Sequence, residues 1–293
     1  MTTDGFVPHH INATPADLAG NDGIGRYVIL PGSDGRAQRI AESFEDVRVL
    51  PHPRCHNLYL GRLKVGDRFV DVATVSTGMG CASIDIIVNE LCQLGAKRFV
   101  RVGTAGSLQP ANIRAGSLVV ATASVRDEAT SRRYVPIEVP AVASLEVVLA
   151  AKRAAAALGL APSTHFGTVH CKDSLFAREF GAGPLHEENH AYMKVLSASG
   201  VLASEMETAQ LFILASLYNH QLRQQGEGHA HQVLAGAVLG VVGDDRPFAT
   251  PEEERRAVDG SVELVLETVR QLAAEELGAI AHHNVPIGQE AAR

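Results

Sequence analysis

The chain of 293 residues is 46% apolar, so it can bury a large core in one α/β domain or in two smaller ones. Its formal net charge of −7, with no Lys- or Arg-rich run, argues against a nucleic-acid-binding protein. The apolar runs are far shorter than a membrane span, and the N-terminal residues lack the basic and apolar regions of a secretory signal, so a cytoplasmic protein without a membrane partner is expected.

Segments with strand character alternate with segments of helical periodicity along the whole chain. The predicted strands lie in RYVILP, FVDVATV, KRFVRVGTAGSL, GSLVVATASVR, STHFGTVHC and QVLAGAVLGVVG. The predicted helices lie in AQRIAESF, ASIDIIVNELCQLGA, residues 143–158, EENHAYMKVLSAS, METAQLFILASLY and PEEERRAVDGSVELVLETVRQLAAEE. In the second helix, one face is formed by Ile84, Ile87, Val88 and Leu91. This alternation predicts an α/β fold, a single domain with a central mixed, largely parallel β-sheet flanked by helices.

Polar segments at both ends and near residue 225 interrupt this alternation. We predict an N-terminal arm over residues 1–26, a domain over 27–276 and a disordered tail over 277–293. The His-rich stretch 219–232 is predicted to be a solvated loop. Neither its histidines nor the four scattered cysteines have the partners or spacing of a metal site, so we predict no metal and reduced thiols.

Three predicted strands end in glycine-containing turns, LPGSDGR, STGMG and RVGTAGS. Ligands of an open α/β sheet bind at the carboxyl ends of strands, and glycine lets backbone N–H groups approach an anion closely. Arg36, Arg101 and Thr104 lie in or beside these turns, which favours an oxyanion such as phosphate. The alternative is that the glycines only end strands, and no turn matches a nucleotide-binding P-loop.

Buried charges are indicated at two further places. Arg101 lies inside an apolar strand, so its guanidinium must bind an anion or form an internal salt bridge. Glu205 and Glu207 flank Met206 just before a predicted buried helix. Either acid could bind a ligand or cap the N-terminus of the helix.

Five motifs together resemble the nucleoside phosphorylases of the uridine phosphorylase type, within the wider family that includes hexameric purine nucleoside phosphorylase and methylthioadenosine nucleosidase. They are LPGSDGRAQRIAE, STGMGCASIDIIVNEL, RFVRVGTAGSLQP, VRDEATSRRYVPIEVPAV and SEMETAQLF, in the order and spacing of that family over about residues 8 to 272. The resemblance implies nucleoside and inorganic phosphate as substrates, with no further cofactor.

The resemblance also implies roles for individual residues. Those implied to bind phosphate are Gly32, Arg36, Arg54, Arg101 and Thr104. Those implied to contact the ribose are His10, Glu205, Met206 and Glu207. Because Arg54 and His10 resemble residues that act across a subunit interface, a homodimer with shared active sites, assembled into a hexamer, is expected.

The match to uridine enzymes fails at the base site. Their Gln-x-Arg pair is missing from KDSLFAREFGAGPLHEENH, and GDD stands where they have Asn-Arg. The GDD turn is more similar to the motif of purine-acting members, in which an aspartate protonates or hydrogen-bonds purine N7. By this resemblance Asp244 would be that acid, with Arg255 or Arg256 assisting. The alternative is that the turn is a solvated loop. The residues predicted to contact the base are Gly106, Leu175, Phe176, Arg178 and Asp244.

The sequence thus predicts phosphate-dependent cleavage of the N-glycosidic bond of a uracil or purine ribonucleoside, with Arg101, Glu207 and Asp244 as the catalytic residues. A hydrolytic nucleosidase is the alternative within enzymes, but it would not need three arginines for phosphate. A non-catalytic nucleoside-binding protein is the alternative outside enzymes. The missing Gln-x-Arg pair motivates that alternative, whereas the retained Glu207 and Arg101 speak against it.

Overall fold

The computed structural model describes residues 5–228, 232–246 and 249–283, over which strands and α-helices alternate. The strands are β1 (Tyr27–Pro31), β2 (Glu45–Leu50), β3 (Leu58–Val65), β4 (Arg68–Val75), β5 (Arg98–Ser107), β6 (Leu118–Asp127), β7 (Ala141–Val142), β8 (Thr164–Lys172), β9 (Ala203–Glu205) and β10 (Leu234–Gly243). The α-helices are α1 (Pro15–Leu18), α2 (Asp34–Ala41), α3 (Cys81–Gln93), α4 (Leu145–Ala157), α5 (Leu175–Arg178), α6 (His186–Ala198), α7 (Thr208–Gln224) and α8 (Pro251–His283).

The strands form one mixed sheet in the order β10-β6-β8-β9-β5-β1-β4-β3-β2, with β7 beside β6. Since β10 also pairs with β5, the strands β5, β10, β6, β8 and β9 close into a ring, from which β1, β4, β3 and β2 extend. The strands around β1 are parallel, whereas β2, β3 and β4 are antiparallel, with a two-residue turn between β3 and β4 and the loop 51–57 between β2 and β3. The predicted α/β fold with a mixed sheet flanked by helices is confirmed, although antiparallel pairs are more frequent than predicted.

Two apolar clusters lie on opposite faces of the sheet. Successive side chains of β1 alternate between them, since Val28 and Leu30 belong to one cluster and Tyr27 and Ile29 to the other. Helices α3 and α7 cover the first face, and α4 and α8 the second. All five residues of β1 are buried, as expected for a parallel strand covered on both faces.

Most predicted elements are found in the structure. The predicted apolar face of α3, formed by Ile84, Ile87, Val88 and Leu91, is buried. Strands β2, β3, β7 and β9 are not among the predicted strands. Of these, β2 is an edge strand whose residues are largely exposed and lack an apolar pattern. Among the described residues, no helix is long and apolar enough to cross a membrane.

Two predicted irregular segments are partly helical. The predicted loop 219–232 begins inside α7, which continues to Gln224, and Asn219 fixes the start of the next strand by bonding both backbone groups of Val233. The predicted tail begins at residue 277, whereas α8 continues to His283. The rest of the tail, and residues 229–231 of the loop, lie outside the described residues.

Candidate active site

A cavity of about 430 Å³ opens where the carboxyl ends of the central strands meet. Glycines and small residues end β1, β5 and β10 there, which leaves room between the strand ends and the helices that follow. Predicted site residues that line the cavity are Gly32, Arg36, Arg101, Thr104, Gly106, Leu175, Glu205, Met206 and Glu207. The fold therefore places predicted site residues from three of the five family motifs, together with Leu175, around one space.

The guanidinium of Arg101 lies at the centre of the cavity wall, with its side chain 4% exposed. It forms a salt bridge with Glu207, and its Nη1 donates to Thr77 Oγ1 at 3.4 Å. Its buried Nε has no hydrogen-bond partner, and the nearest carboxylate oxygen, Glu205 Oε2, is 3.6 Å away. Both functions proposed from the sequence are thus compatible with the structure, because Arg101 has an internal salt bridge and its side chain also lines the cavity.

Arg36 provides a second cation in the same cavity. It lies in the first turn of α2, and no hydrogen bond or ion pair is found for it among the described residues. Burial, followed by repulsion from the nearby charge of Arg101, lowers its pKa. Two guanidinium groups that repel each other across a cavity favour an anion between them, so we call the part of the cavity formed by Arg36, Arg101 and Gly32 the phosphate end.

Glu207 is held where the chain enters α7. Its Oε2 pairs with Arg101, and its Oε1 accepts a 2.6 Å hydrogen bond from the backbone N–H of Gly80. Gly80 has a φ of +86°, which a residue with a side chain rarely adopts, so the glycine of STGMG presents its N–H to this carboxylate. Burial raises the pKa of Glu207, and the charge of Arg101 opposes this rise.

Glu205 has a different environment from Glu207. Its carboxylate accepts hydrogen bonds from the backbone N–H groups of Glu207 at 2.9 Å and Thr208 at 3.0 Å, and from the Thr208 hydroxyl at 2.5 Å. These contacts cap the N-terminus of α7 and fix the backbone that positions Glu207. They match the capping function that the sequence left open, although Glu205 also lines the cavity.

The opposite part of the cavity, which we call the base end, is formed by Gly106, Lys172, Leu175, Glu179 and Phe180. About five strand residues, or roughly 16 Å, separate Arg101 from Gly106 along β5. Phe176, predicted to contact the base, is 67% exposed and instead packs edge-on against Phe180 with ring centroids 5.5 Å apart. It does not line this cavity.

Arg178 lines a neighbouring cavity of about 560 Å³. It donates to both oxygens of Asp127, at 2.7 and 2.9 Å, and its guanidinium lies over the ring of Tyr192. Asp127 in turn accepts from His170. Arg178 is therefore already engaged in a local ion pair on the far side of the base end.

Asp244 also lines the neighbouring cavity and has a buried carboxylate. It accepts from Nε and Nη2 of Arg246, both at 3.0 Å, and from the backbone N–H of Ala115 at 3.1 Å. These hydrogen bonds, led by that from Arg246, lower the pKa of Asp244 well below its usual range. With this pKa the carboxylate is ionised, so it would have to gain a proton before it could donate one to purine N7. Its arginine partner is Arg246, not the expected Arg255 or Arg256.

His10 and Arg54 lie outside the cavity of their own chain. His10 Nδ1 is 2.7 Å from Glu90 Oε1, and the Glu90 carboxylate also accepts from the backbone N–H groups of His9, His10 and Ile11. Burial alone would raise the pKa of Glu90, but these hydrogen bonds outweigh burial and lower it. The same hydrogen bonds fix the N-terminal arm on α3. Arg54 is exposed in the loop between β2 and β3.

The sequence reasoning did not identify Lys172 or Glu179. Lys172 is the last residue of β8 and is almost fully buried, and a lysine directly after an apolar strand was the available signal. Glu179 follows α5 and had no pattern that distinguished it from a surface acid. Their proximity is a product of the tertiary structure.

Comparison with known proteins agrees with this geometry. The family described as the phosphorylase superfamily matches residues 26–275. The chain is 35% identical to a uridine phosphorylase of Treponema pallidum over 92% of this chain and 95% of that protein, and 36% identical to a uridine phosphorylase of Thermococcus kodakarensis over 74% of each. It is 29% identical to a guanosine phosphorylase of Halorubrum lacusprofundi over 85% of this chain and 95% of that protein. The predicted resemblance is confirmed, and the chain belongs to the phosphorylase superfamily.

Proposed function

We propose that the protein is a nucleoside phosphorylase, a pentosyltransferase that uses inorganic phosphate to cleave a ribonucleoside into free base and ribose 1-phosphate. Relatives named uridine phosphorylase, which match most of the chain, support this activity. The observation in the structure that supports it best is the pair of guanidiniums, Arg36 and Arg101, beside the carboxylate of Glu207 in one cavity. No cofactor other than phosphate is required.

Phosphate would bind at the phosphate end. Arg36 lacks an ion pair among the described residues, and the side chain of Arg101 lines the same cavity, so the two positive charges together would attract a phosphate. The backbone after β1 and the hydroxyl of Thr104 lie in the same wall. One phosphate oxygen then attacks the anomeric carbon, the bond to the base nitrogen breaks, and its electron pair leaves with the base.

Glu207 would bind the sugar. A carboxylate accepts hydrogen bonds from the 2′- and 3′-hydroxyls, and its negative charge favours the positive charge that develops on the sugar in the transition state. Arg101 and the N–H of Gly80 hold this carboxylate in place. Met206, next to it in the cavity wall, provides an apolar surface for the sugar.

We further propose a cytoplasmic homodimer with shared active sites, assembled into a hexamer. The support is that Arg54 and His10, both implied to act on substrate, lie outside the cavity of their own chain. Light scattering measures the assembly. Mixing inactive Arg54→Ala and Arg101→Ala subunits should restore part of the activity if Arg54 acts on the neighbouring subunit.

The activity is tested by chromatography of base released from uridine, thymidine, inosine, guanosine and adenosine, each with and without phosphate. Phosphate-dependent release is expected. Equal release without phosphate would identify a hydrolytic nucleosidase. Binding of nucleoside without release under any condition would identify a non-catalytic binding protein.

A further inference from the structure

The base end contains a buried ion pair that no motif identified. Lys172 Nζ lies 2.5 Å from Glu179 Oε1, and the two side chains are 2% and 17% exposed. Both line the cavity that contains Arg101 and Glu207. Within the cavity, Glu179 is the more exposed partner and is therefore the one that a ligand can reach.

The second oxygen of Glu179 is directed at the floor of the base end. A Cβ atom added to Gly106 would lie 3.1 Å from Glu179 Oε2, so the absence of a side chain at Gly106 leaves space for this oxygen. Leu175 and Phe180 line the same end and provide apolar walls. A flat ring inserted there would have an apolar environment and one carboxylate at its edge.

Lys172 fixes Glu179 through contacts of its own. Its ammonium donates to Ser204 Oγ at 2.9 Å and lies 3.4 Å from the carbonyl oxygen of Glu205. Ser204 is itself bonded to His170 at 2.9 Å, and His170 to Asp127 at 2.9 Å. The ammonium thus has its position set by strands β8 and β9, and it compensates the charge of Glu179.

We propose that Glu179 recognises the nucleobase, and that it selects bases with a ring N–H beside a carbonyl, namely uracil, hypoxanthine and guanine. A carboxylate accepts a hydrogen bond from this N–H. Cytosine and adenine instead present a ring-nitrogen lone pair at the same edge, and the carboxylate repels this lone pair. Lys172 is the positioning residue that holds Glu179. The proposal rests on the proposed function, since it assigns the base subsite of that reaction.

Two measurements on the full-length protein test it. The first compares kcat/KM for uridine with cytidine and for inosine with adenosine. The second measures binding of the free bases by calorimetry, which does not depend on turnover. The wild type should favour the ring N–H member of each pair by at least about 100-fold.

Glu179→Gln should lower this preference by about 10- to 100-fold, the value of a hydrogen bond to a charged group, and leave the KM for phosphate within about twofold. Glu179→Asp should retain part of the preference. Glu187→Gln, whose carboxylate is 87% exposed, is the matched control and should change nothing. Because Lys172→Met alone leaves an uncompensated buried carboxylate, the double variant Lys172→Met, Glu179→Leu is the safer test of a folded protein without the pair.

An unchanged preference in Glu179→Gln or in the folded double variant would overturn the proposal, as would an equal loss for all nucleosides. If no nucleoside is cleaved but binding of uracil or hypoxanthine still depends on Glu179, the proposed function fails and the assignment of Glu179 stands. If nucleosides are cleaved but binding of the bases does not depend on Glu179, the proposed function stands and the assignment of Glu179 fails.

Discussion

Replacing Arg101 with methionine removes its positive charge but keeps a long side chain, so the variant tests the contribution of the charge. The side chain is 4% exposed, and its loss leaves Glu207 with the N–H of Gly80 but no cation. Removing one partner of a buried pair costs about 3–5 kcal/mol. At about 2 °C per kcal/mol for a chain of this size, the midpoint of thermal unfolding should fall by about 6–10 °C near neutral pH.

The double variant Arg101→Met, Glu207→Gln should regain part of this loss, because the carboxylate of Glu207 is then gone and only the longer contact of Glu205 with Arg101, at 3.6 Å, is still lost. The loss in Arg101→Met should also shrink as the pH falls through the raised pKa of Glu207, since a protonated Glu207 needs no cation. Calorimetry of the wild type, both single variants and the double variant measures the coupling directly. A double variant as unstable as Arg101→Met, or a loss independent of pH, would refute the charge argument and indicate packing instead.

Four further predictions concern other residues of the two cavities. Arg36→Met should raise the KM for phosphate at least about tenfold with little change in stability, whereas Arg39→Met on the same helix, which breaks a surface pair worth at most about 1 kcal/mol, should leave the KM unchanged. Glu205→Gln should lower the free energy of unfolding by about 1–2 kcal/mol through loss of the helix cap; a large rise in the KM for nucleoside would instead make it a ribose ligand. Asp244→Asn should keep the rate of base release within about tenfold, and a loss of about 10²- to 10⁴-fold would restore its function as general acid. Because burial raises the pKa of Glu207 above 4.5, its contribution to the free energy of unfolding should decline as the pH rises through that pKa, and urea titrations of Glu207→Gln should lack this part of the pH dependence.

The oxyanion interpretation of the glycine turns depended on local information, and the structure brings these turns together. Glycine and arginine next to strand ends predict an anion site because parallel strands end at the same edge of a sheet. Gly32, Arg36, Arg101 and Thr104 all line one cavity for this reason. Arg54 could not be placed by the same reasoning, since it lies in a loop between antiparallel strands away from that edge.

The base-site predictions depended on loops, whose course local sequence patterns do not determine. Phe176 and Arg178 follow β8 within six residues, yet the short helix α5 turns one into solvent and the other towards Asp127. Glu205 and Glu207 are two residues apart, and local sequence patterns did not predict that their carboxylates have different hydrogen-bond partners. The backbone path at the start of α7 decides this difference, because it places Glu205 at the helix N-terminus and Glu207 beside Arg101.

The sequence by itself determined the alternation of strands and helices, the family, and the glycine and arginine residues at the strand ends, because each of these depends on periodicity or on short motifs. The tertiary structure decided which charges meet. Lys172 and Glu179 form an ion pair at the base end, and Asp244 is neutralised by Arg246, because the ends of β8 and β10 and the helix after β8 converge there. Side-chain partners across such distances depend on how the sheet closes into a ring, and no local pattern in the sequence encodes that closure.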